Sequence, residues 1–504
     1  MGPHQTSAFF SAFLIWIYTL FFRTTAGVAI WLRIFGTLIH GALSFGVFRV
    51  LRRHLSKEYS FYLALLYFNL LPKGYVTPEF SNLLIWFFTL LLLDLFHLEQ
   101  QEGDRKRLFA SLRCGLWMCG MVLSYPSALI VFPFFAWYLW KREKNGKKYA
   151  LAFAAVCLAG GALYLGYLLS YMSADELFYN LHCMMLGNSG HTNVTALQTV
   201  RALLISGGYV LAAWGLLKFR RVSFENKTEA FTGVMYLTLI LATVLPLIRW
   251  LLTPTNNNYF YIHTVYFTLF LFVFAFLRRT EEKSRGLIVL WMSGSALVLL
   301  AVLLLTDLSI LTSIRYLLPG IVMGIAAILI YSGQYAPDIC KKYGKAFVLI
   351  WCFASVFIKG WEYRGDQDLP QNITRVRGII SVGPAKGILA EYMQCAMHES
   401  LYSEMQEYVE PGDKVFLLEN DSTGYLFQDL EIASYTTISD PRYDDTLLKY
   451  WEMYPDKYPD VMIIPCWYGE LHWNDEEWII RWVEKEYGAT QIIDGTYFRY
   501  YIKK

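Results

Sequence analysis

Charge is what this sequence lacks first. Asp, Glu, Lys and Arg make up 17% of its 504 residues, against roughly 25% in a soluble globular chain. Hydrophobic residues take their place at 56%, and mean hydropathy is +0.35. This excludes a string of ordinary soluble domains, and also a disordered chain, which would be less apolar. Cysteine chemistry is thin as well. Five of the eight cysteines (Cys114, Cys119, Cys157, Cys340 and Cys352) lie in or beside apolar runs. No CxxC or Cys/His cluster has the spacing of zinc ligands. Cys395 and Cys466 could pair only in an oxidising compartment. There is no GxGxxG after a strand pattern and no Walker motif, so a nucleotide site is unsupported. No 20–50-residue repeat marks a solenoid. Finally, no Asp occurs before Asp94.

What is present is a series of apolar runs near the length of about 20 residues that a spanning helix needs. They cover 27–48, 59–72, 80–98, 107–123, 126–140, 149–172, 201–219, 230–252, 258–277, 286–306, 314–332 and 346–360. Residues 7–22 form a further apolar stretch, short for a span. The pattern predicts a polytopic α-helical membrane protein of about 12 transmembrane helices, with 7–22 as an interfacial helix on the outer face. Residues 361–504 read instead as a small α/β domain, dividing the chain into 1–360 and 361–504. In that domain a helix is expected at 386–409 and another at 474–487. Strands are expected at 415–418, 432–437, 461–464 and 497–502.

The net charge of +3 conceals two opposite halves. Residues 361–504 hold 26 acidic and 13 basic side chains, leaving 15 and 31 for residues 1–360. Of those 31, 24 lie in or beside six short loops, among them RVLRRHLSK (49–57) and KREKNGKK (141–148). These alternate with loops such as SYPS (124–127) and TPTNNN (253–258). Basic loops stay cytoplasmic, so the α/β domain is expected outside the cytoplasm. Basic charge dispersed in short loops gives no footprint for nucleic acid.

Ionisable groups inside spans are costly and are functional candidates by default. Arg33, Arg201, Arg249 and Arg315 fall near the outer ends of their helices, with Glu79, His263 and Asp307 at similar depth. Guanidinium forks at that level suit a lipid phosphate; the alternative is snorkelling to the headgroups or pairing with a carboxylate. Glu79, after Pro78, could hold a divalent metal or orient a phosphate-bound metal, or be an ordinary first-turn charge. His4 and Gln5, ahead of the interfacial helix, could hydrogen-bond a substrate or cap that helix. His182, His191 and Asn193 occupy a long outer loop. Asp94, deep in an apolar run, reads as helix–helix glue or the partner of a nearby Arg.

The order of these features resembles the GT-C class of integral-membrane glycosyltransferases, the group that includes protein O-mannosyltransferases and bacterial aminoarabinose transferases. PHQTSAFFSAFLIWIYTLFF is similar to the family's outer-face segment, and GVAIWLRIFGTLIHGALSFGVFRVLRR to its next helix, carrying Arg33. TPEFSNLLIWFFTLLLL places Glu79 where a polar or acidic residue is common. SIRYLLPGIVMGIAA resembles the late RYLLP helix and supplies Arg315, Tyr316 and Pro319. The resemblance implies transfer of a sugar from a polyprenyl-phosphate donor to a glycan, lipid or protein acceptor on the outer face of a plasma membrane, bacterial rather than reticular. Arg315, Tyr316, Arg249 and Arg33 would bind the donor phosphate. Glu79, His4, Gln5 and His263 would face the acceptor, with Glu79 able to hold Mg²⁺ or Mn²⁺. The family's base is an Asp in its first outer loop. By the order of the matching segments that Asp would precede Met1, and the expectation is that the chain lacks the family's first helix and catalytic loop. Two other readings stand beside this one: a transporter or flippase for lipid-linked sugars, and a non-catalytic protein of envelope glycan assembly.

Overall fold

The computed structural model describes residues 8–70, 76–142, 145–178, 192–219, 227–252, 282–305, 313–361, 376–418, 422–434, 437, 446–467, 470–471 and 477–503. In chain order its helices are α1 (Ala8–Phe22), α2 (Val28–Leu51), α3 (Lys57–Asn69), α4 (Phe80–Gln100), α5 (Asp104–Ser124), α6 (Phe132–Arg142), α7 (Gly146–Leu169), α8 (Thr192–Phe219), α9 (Lys227–Leu252), α10 (Glu282–Leu305), α11 (Leu318–Tyr335), α12 (Lys345–Trp361), α13 (Tyr392–Tyr408), α14 (Thr446–Met453) and α15 (Trp478–Lys485). Each apolar run is helical where it is described; 258–277 lies outside the described residues. Among the described residues, six helices are long and apolar enough to cross a membrane: α2, α4, α7, and those over Lys227–Leu245, Arg285–Leu303 and Arg315–Tyr335. The architecture is therefore that of a multi-pass helical membrane protein. The run at 126–140 is not one helix. It splits into a 3₁₀ turn over Pro126–Val131 and the 11-residue α6, with Pro126 opening the turn because it needs no N–H partner there.

The chain divides into two compact units, residues 36–372 and residues 1–35 with 373–504. The second joins α1 and the start of α2 to the C-terminal domain, which a division at 360/361 does not.

In the helical unit, several polar groups within the apolar body find partners inside it, as a lipid environment favours. Ser44 donates to the Ala64 carbonyl (2.6 Å), tying α2 to α3, and Tyr67 meets Thr89 (2.7 Å) between α3 and α4. Ser111 donates to the Tyr149 carbonyl (2.6 Å) between α5 and α7. These two helices approach closely through small residues: a Cβ on Gly115 would lie 2.7 Å from Val156, and one on Gly160 2.6 Å from the Cys119 sulfur. Leu151, Leu158 and Leu163 of α7 are exposed, the face a helix turns to lipid.

The C-terminal domain is built on a sheet of strands β3 (Lys414–Leu417), β4 (Glu431–Ile432), β5 (Val461–Trp467), β6 (Glu470–Leu471), β7 (Gln491–Asp494) and β8 (Phe498–Ile502), preceded by a hairpin of β1 (Gly378–Ile379) and β2 (Leu389–Ala390). The sheet order is β4-β3-β5-β8-β7, with β6 pairing β5. β3 runs parallel to β4 and β5, while β8 is antiparallel to β5 and β7. Alternation along the strands feeds two cores. Val415, Leu417, Val461, Ile463 and Tyr500 pack with Leu401 and Met405 of α13. Phe416, Met462, Ile464 and Tyr501 pack with Trp451 of α14 and with Ile479, Ile480 and Trp482 of α15. A sheet covered on both faces explains why β5 begins VMII without a polar residue. Burial pushes the Tyr425 hydroxyl up to about 12, even though the Leu417 amide donates to it at 2.9 Å.

The helix expected at 386–409 begins only at Tyr392. Gly387 has a positive φ of 86°, and Leu389–Ala390 pair as β2, so the apolar stripe ahead of Tyr392 belongs to a hairpin. The helix expected at 474–487 spans Trp478–Lys485 where described. Cys395 and Cys466 are both buried, and no disulfide joins them: Cys395 lies in a small core with Ile380, Ala385 and Ala390, and Cys466 on β5.

Candidate functional site

Glu79, Arg315 and Tyr316 come together at the N-terminal end of α4. Thr77 fixes this end. Its carbonyl accepts from the Glu79 amide (2.8 Å) and from the Asn82 side-chain amide (2.8 Å), and Glu79 O accepts from Leu83 N (2.9 Å). α2 closes on this segment at Gly36, where a Cβ would stand 1.9 Å from the Val76 carbonyl oxygen. Only glycine lets the two backbones approach so closely.

The Glu79 carboxylate does not cap its own helix. It pairs with the Arg315 guanidinium, Nη1 to Oε1 at 3.5 Å. Arg315 sits in a 3₁₀ turn, Ile314–Leu317, that leads into α11. Its side chain is 7% exposed and that of Glu79 44%. The pair therefore presents its carboxylate outward and keeps its cation beneath. Phe80, Tyr125 and Tyr316 form a chain of ring contacts, at 5.7 and 5.9 Å, that ties α4, the 3₁₀ turn after α5, and the Arg315 turn together. The Tyr316 hydroxyl is buried beside Ser81 and Tyr125. Among the described residues, the buried hydroxyls of Ser127 and Ser313 make no hydrogen bond. Orphaned polar atoms in a buried site are uncommon and call for a reason.

The other candidates distribute as follows. Arg33 lies on the part of α2 that belongs to the other unit. Arg201 is exposed on α8. Arg249 lies on α9, but its side chain is outside the described residues, as are His4, Gln5, His182, His191, His263 and Asp307. Met1, ahead of which the resemblance sets the family's catalytic Asp, also lies outside the described residues. The first acidic side chain in the chain is Glu58 and the first Asp is Asp94; Glu58 pairs with Lys345 and Asp94 with Arg113. Neither stands in for that base, and the described site has Glu79 as its carboxylate. Among the described side chains of this unit, Arg315 is the candidate arginine found at the site. Sequence reasoning singled out Glu79, Arg315 and Tyr316 and passed over Ser81, Tyr125, Ser127 and Ser313. The signal for two of these was the loop SYPS at 124–127, whose hydroxyls sit where an apolar run breaks.

The metal expectation meets a chemical obstacle at Glu79. Its described partner is a guanidinium, and a cation there disfavours a second cation. No group of three His, Cys, Asp or Glu side chains comes together among the described residues.

Asp94, on the same helix as Glu79, forms a different constellation. Both its oxygens engage Arg113 of α5 (Nη2 2.6 Å, Nε 3.0 Å), and Trp117 Nε1 donates to it at 2.7 Å. This is the helix–helix partner the sequence suggested. A cavity of about 640 Å³ lies by this end of the helix, lined by Gln101, Arg105, Lys106, Phe109 and Arg113 among others. α4 has 21 residues, so that cavity is roughly 30 Å from Glu79 and is no part of the Arg315 site.

No protein-family model matches this chain, and no curated protein matches it.

Proposed function

We propose that the chain is a membrane glycosyltransferase that takes its sugar from a polyprenyl-phosphate donor and transfers it to an envelope acceptor outside the cytoplasm. The observation that carries this reading is the buried Arg315 guanidinium, held at the end of the helical body among unsatisfied hydroxyls. That arrangement offers positive charge and hydrogen-bond donors to a phosphate at headgroup depth. The resemblance of SIRYLLPGIVMGIAA and TPEFSNLLIWFFTLLLL to GT-C segments supplies the reaction class. The alternating basic loops support about twelve spans, with α1 and the C-terminal domain on the outer face.

In this reading the acceptor oxygen bonds to the anomeric carbon as the bond from that carbon to the phosphate oxygen breaks. The electron pair leaves with the polyprenyl phosphate, and Arg315 stabilises the charge that develops there. Tyr316, Ser313 and Ser127 donate to the remaining phosphate oxygens. The acceptor proton passes to a carboxylate. The resemblance expects an Asp for this role, and Glu79 is the carboxylate that faces outward at the described site. A polar cluster at the end of the helices favours this reading over a transporter, whose substrate groups sit near the bilayer midplane.

The test is binding of polyprenyl phosphate to the full chain in nanodiscs, read by native mass spectrometry. Arg315→Ala should lose most of the bound lipid phosphate; undiminished binding would overturn the phosphate role. The topology has its own test. A cysteine at Thr423 should react with an impermeant maleimide in intact cells, and labelling only after lysis would place the domain inside.

A further inference from the structure

The β1–β2 hairpin is apolar on both faces. Inward, Ile380, Ala385, Ala390 and Cys395 form a small core of their own. Outward, the cross-strand partners Ile379 and Leu389 are 61% and 58% exposed. Tyr392 and Met393 in the first turn of α13 continue this outward surface, 73% and 39% exposed. A two-residue ladder with a bare Ile/Leu pair is a poor design for water, where an outward strand face is ordinarily polar. Arg377 and Lys386, both exposed, flank the pair at the strand start and in the connecting loop. Large apolar side chains, an aromatic residue and cations together are the composition of a membrane-interface element.

The connecting loop says what the surface faces. It turns on Gly383 and Gly387, both at positive φ. Its Gly383 and Pro384 carbonyls accept from the Gly27 and Ala29 amides, each at 3.1 Å. Gly27 and Ala29 stand at the head of α2, which is long and apolar enough to cross a membrane. Thr25 adds a bond to the Leu426 carbonyl at 2.9 Å. A Cβ on Gly387 would fall 2.7 Å from Ile30, so the loop lies directly on the helix. In the same unit, α1 carries no charged residue, buries only Leu14, and exposes Phe13, Trp16, Leu20, Phe21 and Phe22. The hairpin is thus fastened to the end of a spanning helix, next to a helix with no aqueous face.

We infer that the β1–β2 hairpin and the first turn of α13 rest in the headgroup layer of the phospholipid bilayer, giving the C-terminal domain a membrane contact of its own. Ile379, Leu389, Tyr392 and Met393 enter the acyl boundary, while Arg377 and Lys386 meet lipid phosphates. This goes beyond the glycosyltransferase reading and does not depend on it.

The test is depth measurement in the full chain reconstituted in phosphatidylcholine–phosphatidylglycerol nanodiscs, one chain per disc. Spin labels are placed at Ile379→Cys and Leu389→Cys, with Tyr392→Cys as a third position should either fail to fold. Ser403→Cys, exposed farther along α13, is the aqueous reference. At the hairpin, oxygen should relax the label more than a water-soluble nickel complex does, and the order should reverse at Ser403. Nickel accessibility at the hairpin equal to that at Ser403 would overturn the proposal. Dipolar broadening between labels in liposomes, with aqueous accessibility in single-chain discs, would instead assign the patch to a second copy of the chain and would equally overturn it.

Discussion

The two ends of α4 handle a carboxylate–guanidinium pair in opposite ways. At Asp94 every strong bond is made: two to Arg113 and one to Trp117, at 2.6–3.0 Å. At Glu79 the pair is long, at 3.5 Å, and buried hydroxyls nearby make no hydrogen bond among the described residues. Both pairs occupy helices of an apolar body, so burial alone does not separate them. Saturation does. A closed network fixes helix against helix and has nothing left to offer a ligand. An open one holds bonding capacity in reserve, which costs stability unless something binds. The comparison makes Asp94 part of the architecture and leaves recognition by Arg315 as the proposal to be tested.

The strongest way to break that assignment is to remove Asp94. Asp94→Ala leaves Arg113, 38% exposed, without its carboxylate and Trp117 without its acceptor, and should destabilise the helical unit by about 2–3 kcal/mol. Thermal unfolding in detergent would report it as a lowered transition temperature. The double change Asp94→Leu with Arg113→Leu should recover most of that loss, since an apolar pair needs no partner. If Asp94→Ala instead unfolded normally and lost polyprenyl phosphate, the two ends would have been assigned the wrong way round.

Next in size is Arg315. Its charge-assisted bonds to a phosphate are each worth about 1.5–3 kcal/mol, so Arg315→Ala should weaken polyprenyl phosphate binding by roughly ten- to a hundred-fold. Arg315→Lys should fall between, keeping the charge but losing the planar fork. Glu79→Gln should behave differently. Removing a negative charge beside the phosphate should leave binding intact or tighten it a few-fold, whereas sugar transfer, once a donor is identified, should fall. A loss of phosphate binding in Glu79→Gln would show that the carboxylate serves to position Arg315.

The two pairs also differ in how far the sequence reveals them. Asp94, Glu79 and Arg315 stand out because a charge inside an apolar run is expensive and hence conspicuous. The helices themselves are legible for the same reason: nothing but a span or a core accounts for TPEFSNLLIWFFTLLLL. Hydroxyls are not conspicuous. Ser127 and Ser313 look like any helix-end serines, and only coordinates show which are bonded. The C-terminal domain divides along similar lines. VFLL and VMII read as buried strands because both faces of the sheet are covered. RGIISVGPAKGILAEYM, by contrast, carries an apolar stripe that fits a helix as well as a hairpin. Gly383 and Gly387, which impose the hairpin through their positive φ, are the signal that periodicity overrides.

The smallest expected effect is the sharpest test, because it sets two serines of one helical body against each other. Ser111 donates to the Tyr149 carbonyl at 2.6 Å; Ser127 makes no hydrogen bond among the described residues. Both are buried. Ser111→Ala removes a made bond and should cost about 1 kcal/mol, visible as a lowered unfolding temperature, with polyprenyl phosphate binding unchanged. Ser127→Ala removes an unmet demand, so stability should hold within about 0.5 kcal/mol or rise slightly. Its cost should appear only with the lipid bound, as a few-fold loss of affinity. Equal destabilisation by the two substitutions, with no effect of either on binding, would mean that Ser127 is an ordinary packing residue and that the Arg315 end of α4 is as closed as the Asp94 end.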